Sequence, residues 1–163
     1  MKIFRIKSSA GIDYIEDFVG PSAEGLPKEK YLQILKDILQ AGNDSNVFFL
    51  IAFKEGEETV PSAFLLTWAP PDVDHTFILD SWFNDEEISQ VTKDEMFFKA
   101  LTWTDQLERK EMRMTVEGEM DSVMKKWGFK SFSSNIRYPV PEELGAKMMS
   151  FLKEYQNGTR SSS

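Results

Sequence analysis

The run NVFFLIAF at residues 46–53 constrains the fold more than any other stretch of the chain. Apolar side chains fill almost every position, so a strand formed by this run has no face suited to water. Strands with one solvated face alternate apolar and polar residues, whereas strands covered on both faces read as continuous apolar runs. The run therefore predicts a central strand in a sheet that carries helices on both faces.

Two more strands follow this run after short turns. VPSAFLLTWA at 60–69 comes after the turn KEGEE at 54–58, and HTFILDSWF at 75–83 comes after PPDVD at 70–74. Gly, Pro and Asp are typical turn residues, and short connections join antiparallel neighbours. Together with the first run, these stretches predict an antiparallel meander of three strands.

The remaining predicted elements surround this meander. Apolar residues recur every three or four positions in the predicted helices and alternate with polar ones in the predicted strands. The inward stripe of the helix that begins near residue 90 consists of Met96, Phe97, Ala100, Leu101, Thr104 and Leu107. The elements outside the meander are a strand at 2–6, a short helix capped by Ser8 or Ser9, a helix at 26–42, the helix near 90, a strand at 111–117, a short helix at 120–127, a strand at 129–140 and a last helix from Pro141.

This order predicts an α/β fold of the α+β type, in which a mixed central sheet has helices on both faces and an extra C-terminal helix follows. At 163 residues the chain is long enough for one domain with a substantial core. The predicted parts are a domain at 1–140, an amphipathic helix at 141–156 and a flexible tail at 157–163.

Composition excludes several classes of function. The chain has 19 basic and 27 acidic residues, a net charge of −8, which argues against a nucleic-acid partner. Cysteine is absent and His75 is the single histidine, so thiolate nucleophiles and Cys- or His-based metal sites are excluded. Its acidic residues do not have EF-hand spacing, and no metal is expected. No run has the length of a signal peptide or membrane span, so the expected location is the cytoplasm or a particle assembled there.

The stretch QVTKDEMFFKAL at 90–101 predicts the start of an amphipathic helix. Thr92 and Glu95 have the spacing of a capping box, in which each side chain bonds the other residue's backbone N–H. Asp94 adds a negative charge where the helix dipole is positive. A helix start that carries its own anions is a poor place for a phosphate group.

The order of elements and the stretch MKKWGFKSF at 124–132 resemble the GNAT superfamily, the acyl-CoA-dependent N-acyltransferases. In that family a short helix ends at a Gly-Phe pair, which Gly128 and Phe129 match. The resemblance covers about the first 140 residues by element order, and the 124–132 stretch by motif. It implies a GNAT-like domain, with an acyl-CoA cofactor and an amine substrate where the chemistry is kept.

The family holds the cofactor pyrophosphate on a loop of pattern Gln/Arg-x-x-Gly-x-Gly/Ala, where glycines let backbone N–H groups approach the phosphates. The matching stretch here reads QVTKDE from Gln90, with Lys93 and Glu95 at the two small positions. The resemblance therefore implies a degenerate cofactor site and no bound cofactor. If acetyl-CoA binds nonetheless, the residues aligned with the loop are Gln90, Val91, Thr92 and Lys93.

Two further positions depart from the family. A Tyr that often acts as general acid four residues before the Gly-Phe pair is Met124 here, and an Asn after the fifth strand is Glu117. No catalytic residue is assigned. The remaining candidates are Asp80 or Glu86 as a base and Tyr138 as a substitute acid.

Each candidate has an ordinary structural alternative. Asp80 is interpreted first as a strand-end residue that faces water or a turn N–H. His75, next to PPDVD, is interpreted as a surface residue, and Tyr138 as a half-buried strand tyrosine. The acidic loop at 85–87 attracts a cationic amine in one interpretation and is a solvated face in the other.

Some aromatic residues suggest a docking surface. Phe98 and Trp103 lie off the predicted inward stripe of their helix and are candidates for exposure. The helix at 141–156 packs on the domain or docks to another chain. The possible interaction surface consists of Phe98, Trp103, Met148, Met149, Phe151 and Tyr155.

Two hypotheses follow. In the first, the chain is a GNAT-like domain that has lost acetyl-CoA binding and acts as a non-catalytic binding or structural module within a larger assembly, for instance a viral one. It then has a protein partner or forms a homo-oligomer. In the second, it is a divergent N-acetyltransferase that transfers an acetyl group from acetyl-CoA to an amine.

Overall fold

The computed structural model describes residues 1–22, 25–42, 46–116, 122–130 and 153. The chain divides into two compact units. The first consists of Met1–Pro21 and Pro27–Met114, and the second of Ser22–Leu26 and Thr115–Ser163. The five-stranded sheet belongs to the first unit.

The helices and strands of the first unit follow the predicted order, and those of the meander match it almost residue for residue. A 3₁₀ turn at Ser9–Gly11 leads into the first helix, and the Ser8 side chain caps that turn as predicted. The elements are β1 Lys2–Ile6, α1 Ile12–Ile15, α2 Lys28–Ala41, β2 Val47–Phe53, β3 Pro61–Trp68, β4 His75–Phe83, α3 Gln90–Gln106 and β5 Glu111–Met114.

The strands lie in the order β1-β2-β3-β4-β5. The first four are antiparallel neighbours, whereas β4 and β5 are parallel, with His75 opposite Glu111. Parallel strands need a crossover connection, and α3 supplies it. The predicted mixed sheet that begins as an antiparallel meander is confirmed.

β2 is buried along its whole length, as its apolar run predicts. Phe49 and Ile51 belong to the main core, which includes Ile12 and Ile15 of α1 and Leu35 of α2. On the opposite face of the sheet, Phe48 stacks on Trp103 of α3 with ring centroids 5.3 Å apart. Both faces of the central strand are therefore covered by helices.

A β-bulge interrupts the pairing of β3 with β4. Leu66 lies opposite Asp80, but the next residue, Thr67, lies opposite Ile78. Leu79 is thus an extra residue on β4 without a partner in this register. Bulges bend a strand and redirect its side chains, and they are frequent next to functional sites.

The second unit contains α4, Ser122–Trp127. Gly128 follows it with φ of 95°, a conformation that glycine adopts without strain. The N–H groups of Gly128 and Phe129 donate to the carbonyls of Lys125 and Met124, both at 3.1 Å. The predicted helix end at the Gly-Phe pair is confirmed.

Several predictions lie outside the described residues: Glu117, most of the strand at 129–140, the helix at 141–156 and the tail at 157–163. The domain boundary at residue 140 stays a prediction. Among the helices that the structure describes, none is both long and apolar enough to cross a membrane.

Candidate functional site

Helix α3 is capped by Ser89, not by Thr92 as the sequence pattern predicts. The Ser89 hydroxyl accepts a hydrogen bond from the Thr92 N–H at 3.2 Å, and Ser89 has extended backbone angles. The helix begins at Gln90, so Thr92 already lies in its first turn. The predicted capping box is wrong for this reason, and Glu95 instead lies 3.4 Å from Lys99 as an i,i+4 ion pair.

The loop before α3 is acidic and is held by its own side chains. Asp85, Glu86 and Glu87 are all exposed. The Asn84 side chain accepts from the N–H of Glu86 at 3.2 Å, and the Asn84 carbonyl accepts from the N–H of Ile88 at 2.9 Å. Glu87 accepts from the Ser62 hydroxyl of β3 at 2.8 Å. These contacts hold three carboxylates beside the start of α3.

Lys93 is the cation in the first turn of α3, and it is paired within the chain. Its ammonium group binds Asp85 and lies 5.9 Å from the centroid of the Phe83 ring. The Lys93 side chain is only 14% exposed, whereas that of Asp85 is 81% exposed. The positive charge is therefore covered and compensated by a carboxylate of the preceding loop.

The four positions that align with a cofactor loop thus have local roles. Gln90 donates to Asp94 at 2.8 Å, Thr92 donates its N–H to Ser89, and Lys93 binds Asp85. Val91 is 75% exposed. The predicted binding residues lie together at the helix start, in a turn whose contacts are made to protein carboxylates and hydroxyls.

Asp80 lies directly after the bulge on β4 and is partly buried. Of the two structural alternatives for Asp80, the one in which it faces water is wrong, whereas the one in which it accepts from a backbone N–H outside the strand agrees with its contact to Gly20. Its carboxylate accepts a hydrogen bond from the Tyr31 hydroxyl of α2 at 3.0 Å. The backbone N–H groups of Ser81 and Gly20 also donate to it. Burial raises the pKa of Asp80 to about 6, although these three donors oppose the shift.

Tyr31 is a residue that the sequence pattern does not identify as part of a site. Its spacing places it in the apolar stripe of α2, but a buried tyrosine hydroxyl requires a polar partner. Here the hydroxyl also lies 3.3 Å from the carbonyl oxygen of Leu79, the extra residue of the bulge. Nearby, Phe18 and Trp82 stack with ring centroids 4.2 Å apart.

His75 is buried, with 2% of its surface exposed, so its interpretation as a surface residue is wrong. The parallel strand β5 lies against it, which the adjacent turn does not reveal. Burial and the charge of Arg113 lower the pKa of His75. Its Nδ1 lies 3.4 Å from Asp74, and its Nε2 has no hydrogen-bond partner. It occupies the opposite end of β4 from Asp80 and takes no part in that site.

The predicted inward stripe of α3 is confirmed at Met96, Phe97, Ala100 and Thr104, which are buried, but two other positions differ from the prediction. Phe98 is 53% exposed, as expected. Trp103 is only 4% exposed, because its ring points from α3 toward the sheet and stacks on Phe48. Leu101, predicted to face inward, is 39% exposed. Phe98 also borders a groove of about 460 Å³ between α3 and strands β1 and β2.

The other predicted site residues have simple outcomes. Glu86 lies exposed on the loop before α3, and Met124 is half-buried on α4. The rest lie outside the described residues: Tyr138, Met148, Met149, Phe151 and Tyr155. Among the described residues, no group of three or more carboxylate or histidine side chains could hold a metal ion.

Solved structures of acetyltransferases resemble this chain. The aminoglycoside acetyltransferase AAC(6')-Iy, bound to a CoA bisubstrate analogue, superposes with a TM-score of 0.61 and 17% identity over 84% of this chain and 95% of that chain. AAC(6')-Ig of Acinetobacter haemolyticus has a TM-score of 0.57 and 14% identity over 85% and 96% of the two chains. A possible acetyltransferase of Clostridium difficile has a TM-score of 0.59 and 12% identity over 86% and 98%.

These likenesses show that the chain has the GNAT fold. No protein-family model matches the sequence, and no curated protein matches it either. At identities below 20% the fold is shared without evidence for a shared activity. The activity must therefore be argued from the side chains.

Proposed function

We propose that this chain is a GNAT-fold module that does not bind acyl-CoA and that serves as a protein-binding or structural part of a larger assembly. The observation that carries the proposal is the start of α3. Ser89 and Asp85 there satisfy the groups that a bound pyrophosphate would need, the Thr92 N–H and the Lys93 ammonium.

Charge supports the same conclusion. A helix start attracts a phosphate because its free N–H groups and the helix dipole are positive. Here Asp85, Glu86 and Glu87 precede the helix, whereas Asp94 lies beyond its first turn, which contains no acidic residue, so the sequence-based expectation that Asp94 adds charge to the helix start is wrong. A pyrophosphate brought to this turn would meet the three carboxylates of the preceding loop and one cation that is already paired.

Protein binding is supported by the outer face of α3. Val91, Phe98 and Leu101 are large apolar side chains that remain exposed along one side of this helix. Contiguous exposed apolar residues are typical of surfaces that bind other proteins, and Phe98 and Leu101, three residues apart on this helix, are neighbours of this kind. In this proposal the fold presents the protein-binding surface, and the acidic residues before α3 prevent acyl-CoA from binding.

Calorimetric titration of the purified chain with acetyl-CoA tests the proposal. We expect no saturable heat at millimolar cofactor, because the charged groups at the helix start repel the pyrophosphate. AAC(6')-Iy, whose structure contains CoA, serves as the positive control in the same buffer. Saturable binding at micromolar concentration would overturn the proposal.

One observation favours a second function, an N-acetyltransferase that holds acetyl-CoA differently. With a pKa of about 6, Asp80 could accept a proton from an amine near neutral pH. The exposed carboxylates at 85–87 would attract a cationic amine. This alternative requires acetyl-CoA to bind, so the same titration separates the two functions.

A further inference from the structure

Three separate segments of the first unit meet at the Asp80 carboxylate. Tyr31 reaches it from α2, Gly20 from the segment that follows α1, and Ser81 from β4 itself. Gly20 and Tyr31 are donors that lie far from Asp80 in sequence. A change in the charge of this one carboxylate therefore alters the hydrogen bonds from two distant segments at the same time.

The contacts of the Tyr31 hydroxyl include two acceptors that compete for its one hydrogen. Asp80 Oδ2 lies at 3.0 Å and the Leu79 carbonyl oxygen at 3.3 Å. When Asp80 is ionised, the hydroxyl donates to the carboxylate, which is the stronger acceptor. When Asp80 is protonated, its own O–H can donate to the tyrosine oxygen, and the Tyr31 hydrogen can turn to Leu79. The bulge thus provides a partner for each state.

The hydrogen bonds from the backbone N–H groups of Gly20 and Ser81 also depend on whether Asp80 is protonated. An ionised carboxylate accepts hydrogen bonds from N–H groups more strongly than a neutral carboxyl group does. Protonation of Asp80 therefore weakens the contacts with Gly20 and Ser81 together. Ser81 stays in place because it is part of β4, whereas Gly20 lies outside any helix or strand.

We propose that Asp80 is a proton-operated latch, which holds the Gly20 segment and α2 against the bulge of β4 when ionised and loosens the Gly20 segment when protonated. The inference is independent of whether acetyl-CoA binds. The latch makes the position of the Gly20 segment beside β4 depend on pH.

The surroundings of Asp80 place its protonation in a pH range in which proteins are commonly studied. Burial raises the pKa of Asp80 to about 6, and the Tyr31 hydroxyl and the N–H groups of Ser81 and Gly20 act in the opposite direction. Tyr31 is the titratable side chain that donates to it, from α2. No ionised side chain among the described residues contributes to the shift. The latch consequently responds to pH itself and not to the protonation of a neighbour.

Backbone NMR of the whole chain between pH 4.5 and 8 tests the latch. We expect the amide resonances of Gly20 and Ser81 to titrate with one common midpoint near the Asp80 pKa of about 6. The two amides should stop titrating in this range in Asp80→Asn. Amides that do not respond to pH in the native chain would overturn the proposal, as would an unchanged titration in the variant.

Two further variants separate a latch from a general effect of pH. Tyr31→Phe removes a donor that favours the ionised form, so the common midpoint should move to higher pH. Asp74→Asn changes a carboxylate beside His75 at the other end of β4, and the Gly20 and Ser81 titration should be preserved. A midpoint that stays the same in Tyr31→Phe, or moves to lower pH, would show that Tyr31 does not hold the carboxylate.

Discussion

At the scale of single residues, the site depends on which polar group satisfies which partner. Ser89 and Thr92 are three residues apart, and both have the side chain of a helix cap. Their hydroxyl oxygens lie 3.1 Å apart, so they share one small network. The cap is Ser89 because the helix begins one residue after it.

Ser89→Ala should therefore destabilise the chain by about 1 kcal/mol, the usual value of a lost N-cap. Thr92→Ala is the matched control and should cost less, since it removes a hydroxyl contact and leaves the capped N–H in place. Urea unfolding followed by circular dichroism measures both. A larger loss in Thr92→Ala than in Ser89→Ala would restore the capping box that the sequence pattern predicts.

At the scale of elements, the strands were predictable because their signals are local. The continuous apolar run of β2 and the turns around β3 determine where each strand of the meander begins and ends. Most of the predicted inward face of α3 is buried as well, but the positions of Trp103 and Leu101 were not predictable in the same way. The apolar residues of α3 are spread around the helix, and contact with Phe48 turns Trp103 inward and leaves Leu101 outside.

The 3₁₀ turn between β1 and α1 shows how closely the elements pack. Gly11 is buried, and a Cβ atom there would meet the Ile6 side chain and lie 2.9 Å from the ring of Phe49. Gly11→Ala should destabilise the chain by about 1–3 kcal/mol, because Phe49 is fully buried and has little room to shift.

Gly20→Ala is the control for this prediction. A Cβ atom at Gly20 meets no atom within 4 Å, and alanine keeps the backbone N–H. Thermal unfolding of both variants should show a loss at Gly11 that clearly exceeds the change at Gly20. Equal changes would mean that the packing around Gly11 is looser than the structure indicates.

At the scale of the whole molecule, the ionised Asp80 costs stability. Its pKa rises from 3.8 in the unfolded chain to about 6 in the folded chain, so the folded state binds this proton more tightly. The contribution of Asp80 to stability therefore falls as the pH rises from about 4 to about 6, and stays at its lower value above that. Proteins keep such destabilising charges most often at functional sites.

Asp80→Asn removes this dependence. Relative to the native chain, the variant should gain about 2 kcal/mol more stability at pH 8 than at pH 4.5. Urea unfolding at the two pH values measures the difference, and any constant cost of the substitution cancels. A difference of zero would mean that the pKa of Asp80 is ordinary.

Asp74→Asn is a control at a carboxylate whose pKa is shifted in the opposite direction. Burial raises the pKa of Asp74, but the contact with His75 and the charge of Lys110 outweigh it and lower the pKa overall. The native carboxylate therefore contributes stability that is present above its unfolded pKa of 3.8 and is lost as the pH falls below that value. Between pH 4.5 and pH 8 the stability of Asp74→Asn relative to the native chain should consequently change little, in contrast to Asp80→Asn.

The sequence by itself determined the order of the elements that the structure describes, the bounds of the meander and the missing glycines at the start of α3, because each depends on neighbouring residues. The tertiary structure alone decided that His75 is buried beside β5, that Trp103 faces inward and that Tyr31 meets Asp80 from 49 positions away. These outcomes depend on contacts between distant segments. Local periodicity carries no information about which partner a side chain will meet once the sheet has formed.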